Sequence, residues 1–262
     1  MGTAPPEPRL QHLRQTLAEL DPTLGPRFGA ESRTVALGVS AIDRALGGGL
    51  AAGALHEFAP AAPIHLAAAT GFAAGLAARA GDRHGQALWI ATDYAAMEGG
   101  GPYGPGLDLF GMASARLLVL RVPRVVDALW AMEEALRCRA LVCVIAELPG
   151  DQAADLTATR RLVLAAREGA GMGLLLRHRA TPDPSAAATR WQISAALSRP
   201  DRFGGLGAPR FDLALLKNRR GPSGRWIIEW NHHERAFHAA VSVAVAAAAP
   251  DRSDRAPASR AG

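Results

Sequence analysis

Short apolar runs alternate with helical patterns through most of the chain, from about residue 54 to residue 178. The runs LLVLR and LVCVIAE are apolar on both faces, which is typical of strands buried in a parallel sheet between layers of helices. We therefore predict an α/β fold with a mostly parallel central sheet flanked by helices. The predicted strands span residues 54–59, 87–92, 117–121, 141–146 and 173–178, and the predicted helices span residues 63–80, 124–138 and 154–168.

The pattern changes near residue 190, where three runs predict antiparallel strands. They are RWQISAAL (190–197), FDLALLK (211–217) and RWIIEW (225–230), and a Gly-Pro-Ser-Gly turn at 221–224 joins the last two. We expect these strands to extend the parallel sheet within a single core domain that spans residues 35–240.

Both ends of the chain differ from this core. Residues 9–20 place four leucines on one helical face, which predicts a short amphipathic helix in an N-terminal region of helix and linker, residues 1–34. An isolated helix of this length is unstable in water, so it must dock on its own domain or on a partner. Residues 241–262 form a tail that we expect to be disordered, because from about residue 246 it has no core-forming pattern.

Composition limits the class of protein. The chain has 262 residues, of which 49% are apolar, enough for one large domain. A formal net charge of +5 favours an acidic partner such as nucleic acid, but acidic residues are interspersed, so direct DNA contact is left open. Cys138 and Cys143 are the only cysteines, and we expect both to be buried free thiols. With no apolar signal segment and no membrane span, the expected location is the cytoplasm.

The segment LGVSAIDRALGGGLAAGALHEF (37–58) predicts a helix, a glycine loop and a strand, the usual approach to a phosphate-binding loop. Such a loop needs glycines that let backbone N–H groups surround the phosphates, a lysine, and a Ser or Thr hydroxyl for Mg²⁺. In the residues that follow, Ala59 and Ile64 stand at the glycine positions, His65 at the lysine position and Leu66 at the hydroxyl position. The required groups are absent, which predicts a degenerate nucleotide site and a pseudo-ATPase that uses no cofactor.

Cations concentrate around Lys217, the single lysine of the chain. Lys217, Arg219, Arg220 and Arg225 fall within nine residues, on strand ends that flank the 221–224 turn. Such a hairpin suits phosphate or carboxylate partners, and a solvated hairpin without a specific partner is the alternative.

Tyr103 lies in the glycine-rich stretch GGGPYGPG (99–106), which is too polar and flexible to be core. We consider it a candidate contact for a partner or for DNA, with a plain connecting loop as the alternative.

Two segments resemble the RecA-like core: residues 37–58, which are similar to the segment that introduces the P-loop in RecA and RadA proteins, and LLKNRRGPSGRW, which looks like the KNR-F-G type segment of that group. Within that superfamily, the run E-G-x-x-x-Y-G-P-G-L-x-x-F-G (98–111), the following DALWAMEEALR and the degenerate loop are similar to the ImuA family. The resemblance spans roughly residues 9–240.

That resemblance implies a non-catalytic RecA-like adaptor in damage-induced (SOS) error-prone translesion DNA synthesis, nucleoid-associated on DNA damage. It also implies two partners, an ImuB-like Y-family polymerase homologue and an error-prone DnaE-type polymerase, and leaves RecA and DNA open as further partners. The alternatives are a divergent RecA/RadA-like DNA-dependent ATPase and a regulator of RecA filaments or of cell division.

RecA-type ATPases place a catalytic carboxylate after the second strand, where this chain has Asp93, and an aspartate at the end of a later strand, where it has Ala146 with Glu147 one residue late. We expect structural roles for both carboxylates, with Asp93 opening a turn and Glu147 ending a strand. We expect no metal site at His232 and His233, since neighbouring side chains on a strand point to opposite faces.

Overall fold

A nine-stranded sheet organises the part of the chain that the computed structural model describes, residues 33–81, 85–149, 154–180 and 182–240. The predicted N-terminal helix (9–20) and tail (241–262) lie outside these residues. The strands are β1 (Thr34–Val35), β2 (Leu50–Ala51), β3 (Leu55–Pro60), β4 (Gln86–Thr92), β5 (Leu117–Val122), β6 (Leu141–Leu148), β7 (Met172–Arg177), β8 (Thr189–Ala196), β9 (Arg210–Asn218), β10 (Gly224–Asn231) and β11 (Ala236–Ala239). The helices are α1 (Ser40–Ala45), α2 (Leu66–Ala80), α3 (Asp93–Gly99), α4 (Gly104–Leu109), α5 (Val125–Arg137) and α6 (Leu156–Gly169), with 3-10 turns at Pro63–His65 and Ser114–Arg116.

The order of strands in the large sheet is β11-β10-β9-β8-β3-β7-β6-β4-β5. The pairs from β8 through β3, β7, β6 and β4 to β5 are parallel, and the pairs from β8 to β11 are antiparallel. The predicted α/β architecture with a mostly parallel sheet and an antiparallel extension is therefore confirmed. β8 joins the two parts, because it pairs parallel with β3 and antiparallel with β9.

Helices cover both faces of the parallel part. α2 lies on one face, in a core with the aromatic side chains of Phe58, Trp191, Phe211, Trp230 and Phe237. α5 and α6 lie on the other face, in a second core that holds alternate residues of the same strands, such as Leu55 and Leu175. This is the arrangement expected from strands that are apolar on both faces.

One expectation about burial was wrong. The run LLVLR forms β5, the last strand of the sheet, and Leu118 and Val119 are 55% and 50% exposed. No described strand pairs with the outer edge of β5, and few residues of α5 reach over it. The apolar run predicts a strand correctly, but which strand lies at the edge depends on the order of strands.

One local expectation was also wrong, and some short elements were not predicted. The glycine-rich stretch 99–106 is not wholly loop, because α4 begins at Gly104 with Pro105 in its first turn, where the fixed φ of proline suits a helix. β11 and α3 had no predicted counterpart, since four and seven residues are too short for a clear hydrophobic period.

Both cysteines are free thiols, as predicted, and Cys143 is buried. The expected burial of Cys138 is wrong, because this residue follows the last turn of α5 and is exposed. Among the described helices, none combines the length and the apolar character that crossing a bilayer requires.

Candidate functional site

The connection from β3 to α2 occupies the place of the expected phosphate-binding loop. β3 continues to Pro60, and only Ala61 and Ala62 separate it from the 3-10 turn that starts at Pro63. The Ala61 N–H donates to the carbonyl of Ile193 on β8 at 2.9 Å, and the His65 N–H donates to the carbonyl of Ala62 at 2.9 Å. Proline has no backbone N–H. The connection is thus short, and these two N–H groups are engaged within the protein.

The four residues at the P-loop positions lie in different surroundings. Ala59 is a buried β3 residue opposite Gln192, and Leu66 is the first residue of α2. Ile64 is 85% exposed. His65 is hydrogen-bonded to strand β8, because the Ala195 N–H donates to its Nδ1 at 3.2 Å. That bond assigns the proton of the neutral ring to Nε2.

Asp93 begins α3 directly after β4. The preceding Thr92 caps the helix, since its Oγ1 accepts a hydrogen bond from the Ala95 N–H at 3.1 Å. The Asp93 carboxylate pairs with Arg121 at the end of β5, at 3.2 Å, and both side chains are more than half exposed. β7 and β6 lie between β3 and β4, so three inter-strand spacings, about 14 Å, separate the Asp93 strand from the β3–α2 connection.

Glu147 lies at the C-terminal end of β6, opposite Ala91. Burial raises the pKa of its carboxyl from 4.5 to about 7. Removing an ionised group from water disfavours the charged form. Such a carboxyl is about half protonated at neutral pH, and a protonated carboxyl is a weaker ligand for a metal ion than a carboxylate.

The two segments that resemble RecA-like proteins contact each other in space. Asn218, from the second segment, donates through Nδ2 to the carbonyls of Ala45 and Pro222 at 2.8 and 3.0 Å.

The glycine run after α1 makes the close approach of β1 and β2 possible. Gly49 has φ +131°, and a Cβ there would lie 2.5 Å from the carbonyl oxygen of Val35.

The four predicted cations of the hairpin differ in how available they are. Lys217 is partly buried and donates through Nζ to the carbonyl of Ser185 at 2.6 Å. Burial and nearby arginines lower its pKa. Arg225 forms a two-pronged ion pair with Asp212, with Nε to Oδ1 at 2.7 Å. Arg225 remains exposed despite this pair, and Arg219 and Arg220 are exposed without an ion pair among the described residues, so their charge is available to a partner.

Tyr103 stands apart from the hairpin, at the residue that precedes α4. It is 72% exposed, and its ring lies beside Gly106. The structure therefore brings neither Tyr103 nor Asp93 into the basic hairpin, and the predicted residues form separate surfaces.

A buried ion cluster escaped the sequence argument. Glu57 on β3 is 1% exposed and pairs with Arg177 on β7 and with Arg190 on β8, the latter at 3.4 Å. Arg177 also donates to the carbonyl of Ala154 at 3.0 Å. The available signal was a glutamate inside the apolar strand LHEF and an arginine at the end of LLLR, since buried charges in strands are paired.

His56 is a second buried polar group on β3. Its ring nitrogens contact Thr189 Oγ1 at 2.8 Å and the carbonyl of Ala51 at 2.9 Å. Burial lowers its pKa to about 4, so the ring is neutral and acts as a structural link between strands.

The order of strands, the helices on both faces and the β3–α2 connection define a RecA-like core. Among solved structures, the RadB recombinase superposes with a TM-score of 0.53 at 13% identity, covering 79% of this chain and 100% of that one. No protein-family model matches the chain.

The curated relatives narrow the class to one family. Protein ImuA from two strains of Caulobacter vibrioides, NA1000 / CB15N and ATCC 19089 / CB 15, is 34% identical over 197 residues, which are 70% of this chain and 77% of the relative. The chain belongs to the ImuA family.

Proposed function

We propose that this chain is a non-catalytic RecA-like adaptor that assembles or regulates a mutagenic polymerase complex during damage-induced translesion DNA synthesis. Its proposed partners are an ImuB-like Y-family polymerase homologue and an error-prone DnaE-type polymerase. Membership of the ImuA family supports this role.

The observation on which the proposal depends most is the β3–α2 connection. Phosphoryl transfer is catalysed almost entirely by positioning and electrostatic stabilisation, so it needs donors aimed at the phosphates. Here the Ala61 and His65 N–H groups are bonded to carbonyls, and no lysine or hydroxyl stands at the motif positions. Removing one preorganised donor typically costs about 3–4 kcal/mol, and this chain lacks several at once.

Two exposed surfaces suit an adaptor. The outer edge of β5 is apolar and unpaired among the described strands, and an open strand edge is a template for a strand from another protein. Arg219 and Arg220 supply exposed positive charge for an acidic partner or for DNA.

The proposal is tested by mixing the purified chain with the two polymerase partners, with and without saturating ATP and Mg²⁺. We expect a complex in size-exclusion chromatography whose yield does not depend on ATP, together with no ATP hydrolysis above buffer, with or without single-stranded DNA. RecA serves as the positive control for hydrolysis.

Hydrolysis that disappears on Asp93→Ala or His65→Ala would assign the chain to the divergent ATPases instead. A chain that binds neither polymerase but shortens RecA filaments on single-stranded DNA would favour the alternative of a RecA-filament regulator.

A further inference from the structure

An open cavity of about 810 Å³ lies at the opposite end of the sheet from the β3–α2 connection. It is bounded by the C-terminal end of α2, the start of β4, the segment after α4 and the β10–β11 turn. β3 and β4 run in the same direction, and α2 has 15 residues, so the cavity is about 22 Å along the helix from the degenerate loop.

Three arginines from three separate elements line this cavity: Arg79 of α2, Arg116 of the 3-10 turn before β5, and Arg235 of the β10–β11 turn. Arg79 is fixed in place, because it donates through Nε to the carbonyl of Ala36 at 2.7 Å and through Nη1 to the carbonyl of Arg235 at 3.4 Å. Burial lowers the pKa of Arg79, yet a guanidinium stays charged at any physiological pH.

The backbone around Arg235 is specialised. Arg235 has φ +51°, a backbone conformation that residues other than glycine rarely adopt. Its aliphatic stem lies over Gly111, where an added Cβ would approach its Cγ and Cβ at 3.3 Å. The absence of a side chain at Gly111 gives the arginine its place at the cavity wall.

Positive charge exceeds negative charge at this wall. Glu234 is the one carboxylate among the described lining residues. It accepts a hydrogen bond from Asn231 Nδ2 at 3.1 Å and lies 2.9 Å from His238 Nε2. Within the described part of the chain, neither Arg116 nor Arg235 forms an ion pair.

The C-terminal end of α2 at the same wall favours cations, since helix carbonyls point there. Two of these carbonyls are already occupied, because Ala77 accepts from the Gly81 N–H at 3.1 Å and Ala80 accepts from the Arg33 guanidinium at 2.7 Å. The partial negative charge of a helix end, about half an elementary charge, is small beside three guanidinium groups.

We propose that this cavity binds the phosphate groups of a ligand, either the backbone of a polynucleotide or a small phosphorylated molecule. Guanidinium groups match phosphate oxygens in geometry and bind them through paired hydrogen bonds. The cavity is open to solvent, and polar and apolar atoms line it in similar measure. This phosphate site is separate from the degenerate nucleotide loop and requires no hydrolysis.

The test measures fluorescence anisotropy of a labelled 30-nucleotide oligo(dT) and a 30-base-pair duplex with the full chain, at several salt concentrations. We expect Arg116→Glu combined with Arg235→Glu to weaken binding at least tenfold and to reduce the slope of log affinity against log salt by about 2, about one for each lost phosphate contact. The control matched in charge is Arg160→Glu combined with Arg167→Glu, two exposed arginines on α6 at the other face of the sheet. The thermal midpoints of both double variants are compared with that of wild type.

Pyrophosphate, as competitor and in thermal-shift assays, separates the two ligand sources. Competition at low millimolar pyrophosphate, together with a thermal shift that the double variant loses, supports a small phosphorylated ligand. Oligonucleotide binding that pyrophosphate does not displace supports a polynucleotide. Equal weakening by Arg160→Glu combined with Arg167→Glu, loss of binding only on Arg219→Glu with Arg220→Glu, or wild-type protein that binds none of the three probes would overturn the proposal.

Discussion

At the scale of single residues, burial decides the charge state of the groups near the degenerate loop. Glu147 and His56 are both buried, which favours the neutral form of each side chain. Burial raises the pKa of Glu147 to about 7 and lowers the pKa of His56 to about 4. Asp93 keeps its charge partner Arg121 at the surface. The expected turn at Asp93 is wrong, because Asp93 is the first residue of helix α3, whereas Glu147 lies one residue before the end of β6, close to where it was expected. That neither carboxylate is catalytic stays a prediction.

Glu147 gives a pH-dependent prediction. Its pKa is higher in the folded chain, about 7, than the ordinary 4.5. Ionisation therefore destabilises the fold progressively as pH rises from about 4.5 to 7, and the cost is complete above 7. Glu147→Gln removes that cost, so we expect the variant to gain about 3 kcal/mol over wild type between pH 5 and pH 8.

Chemical denaturation at the two pH values measures this difference, and the variant at pH 5 is its own control for altered packing. A stability difference between variant and wild type that is the same at both pH values would show that the carboxyl is ionised without cost.

At the scale of elements, the glycines of α2 allow aromatic side chains to pack closely against the helix. Its glycines face aromatic rings: a Cβ at Gly71 would lie 2.8 Å from Phe110 Cζ, and one at Gly75 would lie 2.7 Å from Phe237 Cζ. Phe237 also stacks edge-on against Trp230, with ring centres 4.7 Å apart. Glycine in a helix interior costs about 1 kcal/mol relative to alanine, so close packing accounts for these two residues.

Gly75→Ala sets these two effects against each other. Better helix propensity contributes about 1 kcal/mol, whereas overpacking a rigid core costs about 1–3 kcal/mol. The Phe237 ring is buried and contacts the rings of Phe72, Phe211 and Trp230, so we expect net destabilisation of about 1 kcal/mol or more. Urea denaturation measures it, with Gly99→Ala as the control because a Cβ at Gly99 meets nothing within 4 Å. A stabilised Gly75→Ala would contradict the packing.

At the scale of the whole molecule, the antiparallel extension completes the core on the α2 face. Phe237 of β11 contacts Phe72 of α2 at 5.2 Å between ring centres and Phe211 of β9 at 6.1 Å. The boundary predicted at residue 240 keeps this strand within the domain.

Two truncations test that boundary. A chain ending at Ala240 retains every contact described, and we expect its thermal midpoint to match that of the full chain. A chain ending at Arg235 loses β11 and the buried Phe237 ring. Loss of one buried Phe costs about 3–5 kcal/mol, which for a domain of this size lowers the midpoint by about 10 °C. Equal midpoints for the two truncated chains would place the domain boundary before β11.

The features that depend on residues close together along the chain were predicted from the sequence, and those that depend on long-range packing were not. The predicted parallel strands, β3, β4, β5, β6 and β7, and their helices agree within two residues at most boundaries, because hydrophobic period and length are local properties. The exposed face of β5 and the double pairing of β8 depend on strand order, which no local pattern contains.

By itself, the sequence determined that the phosphate-binding lysine, hydroxyl and glycines are absent, because the identity of a side chain at a motif position is a covalent fact. It also determined the alternation of strands and helices, since that depends on residues near each other along the chain. Only the tertiary structure decided which cations have partners, with Lys217 and Arg225 bonded to Ser185 and Asp212, and Arg219 and Arg220 exposed without an ion pair among the described residues. It likewise decided that three arginines, 37 and 119 positions apart along the chain, line one cavity, because long-range packing brings such residues together and chain spacing does not.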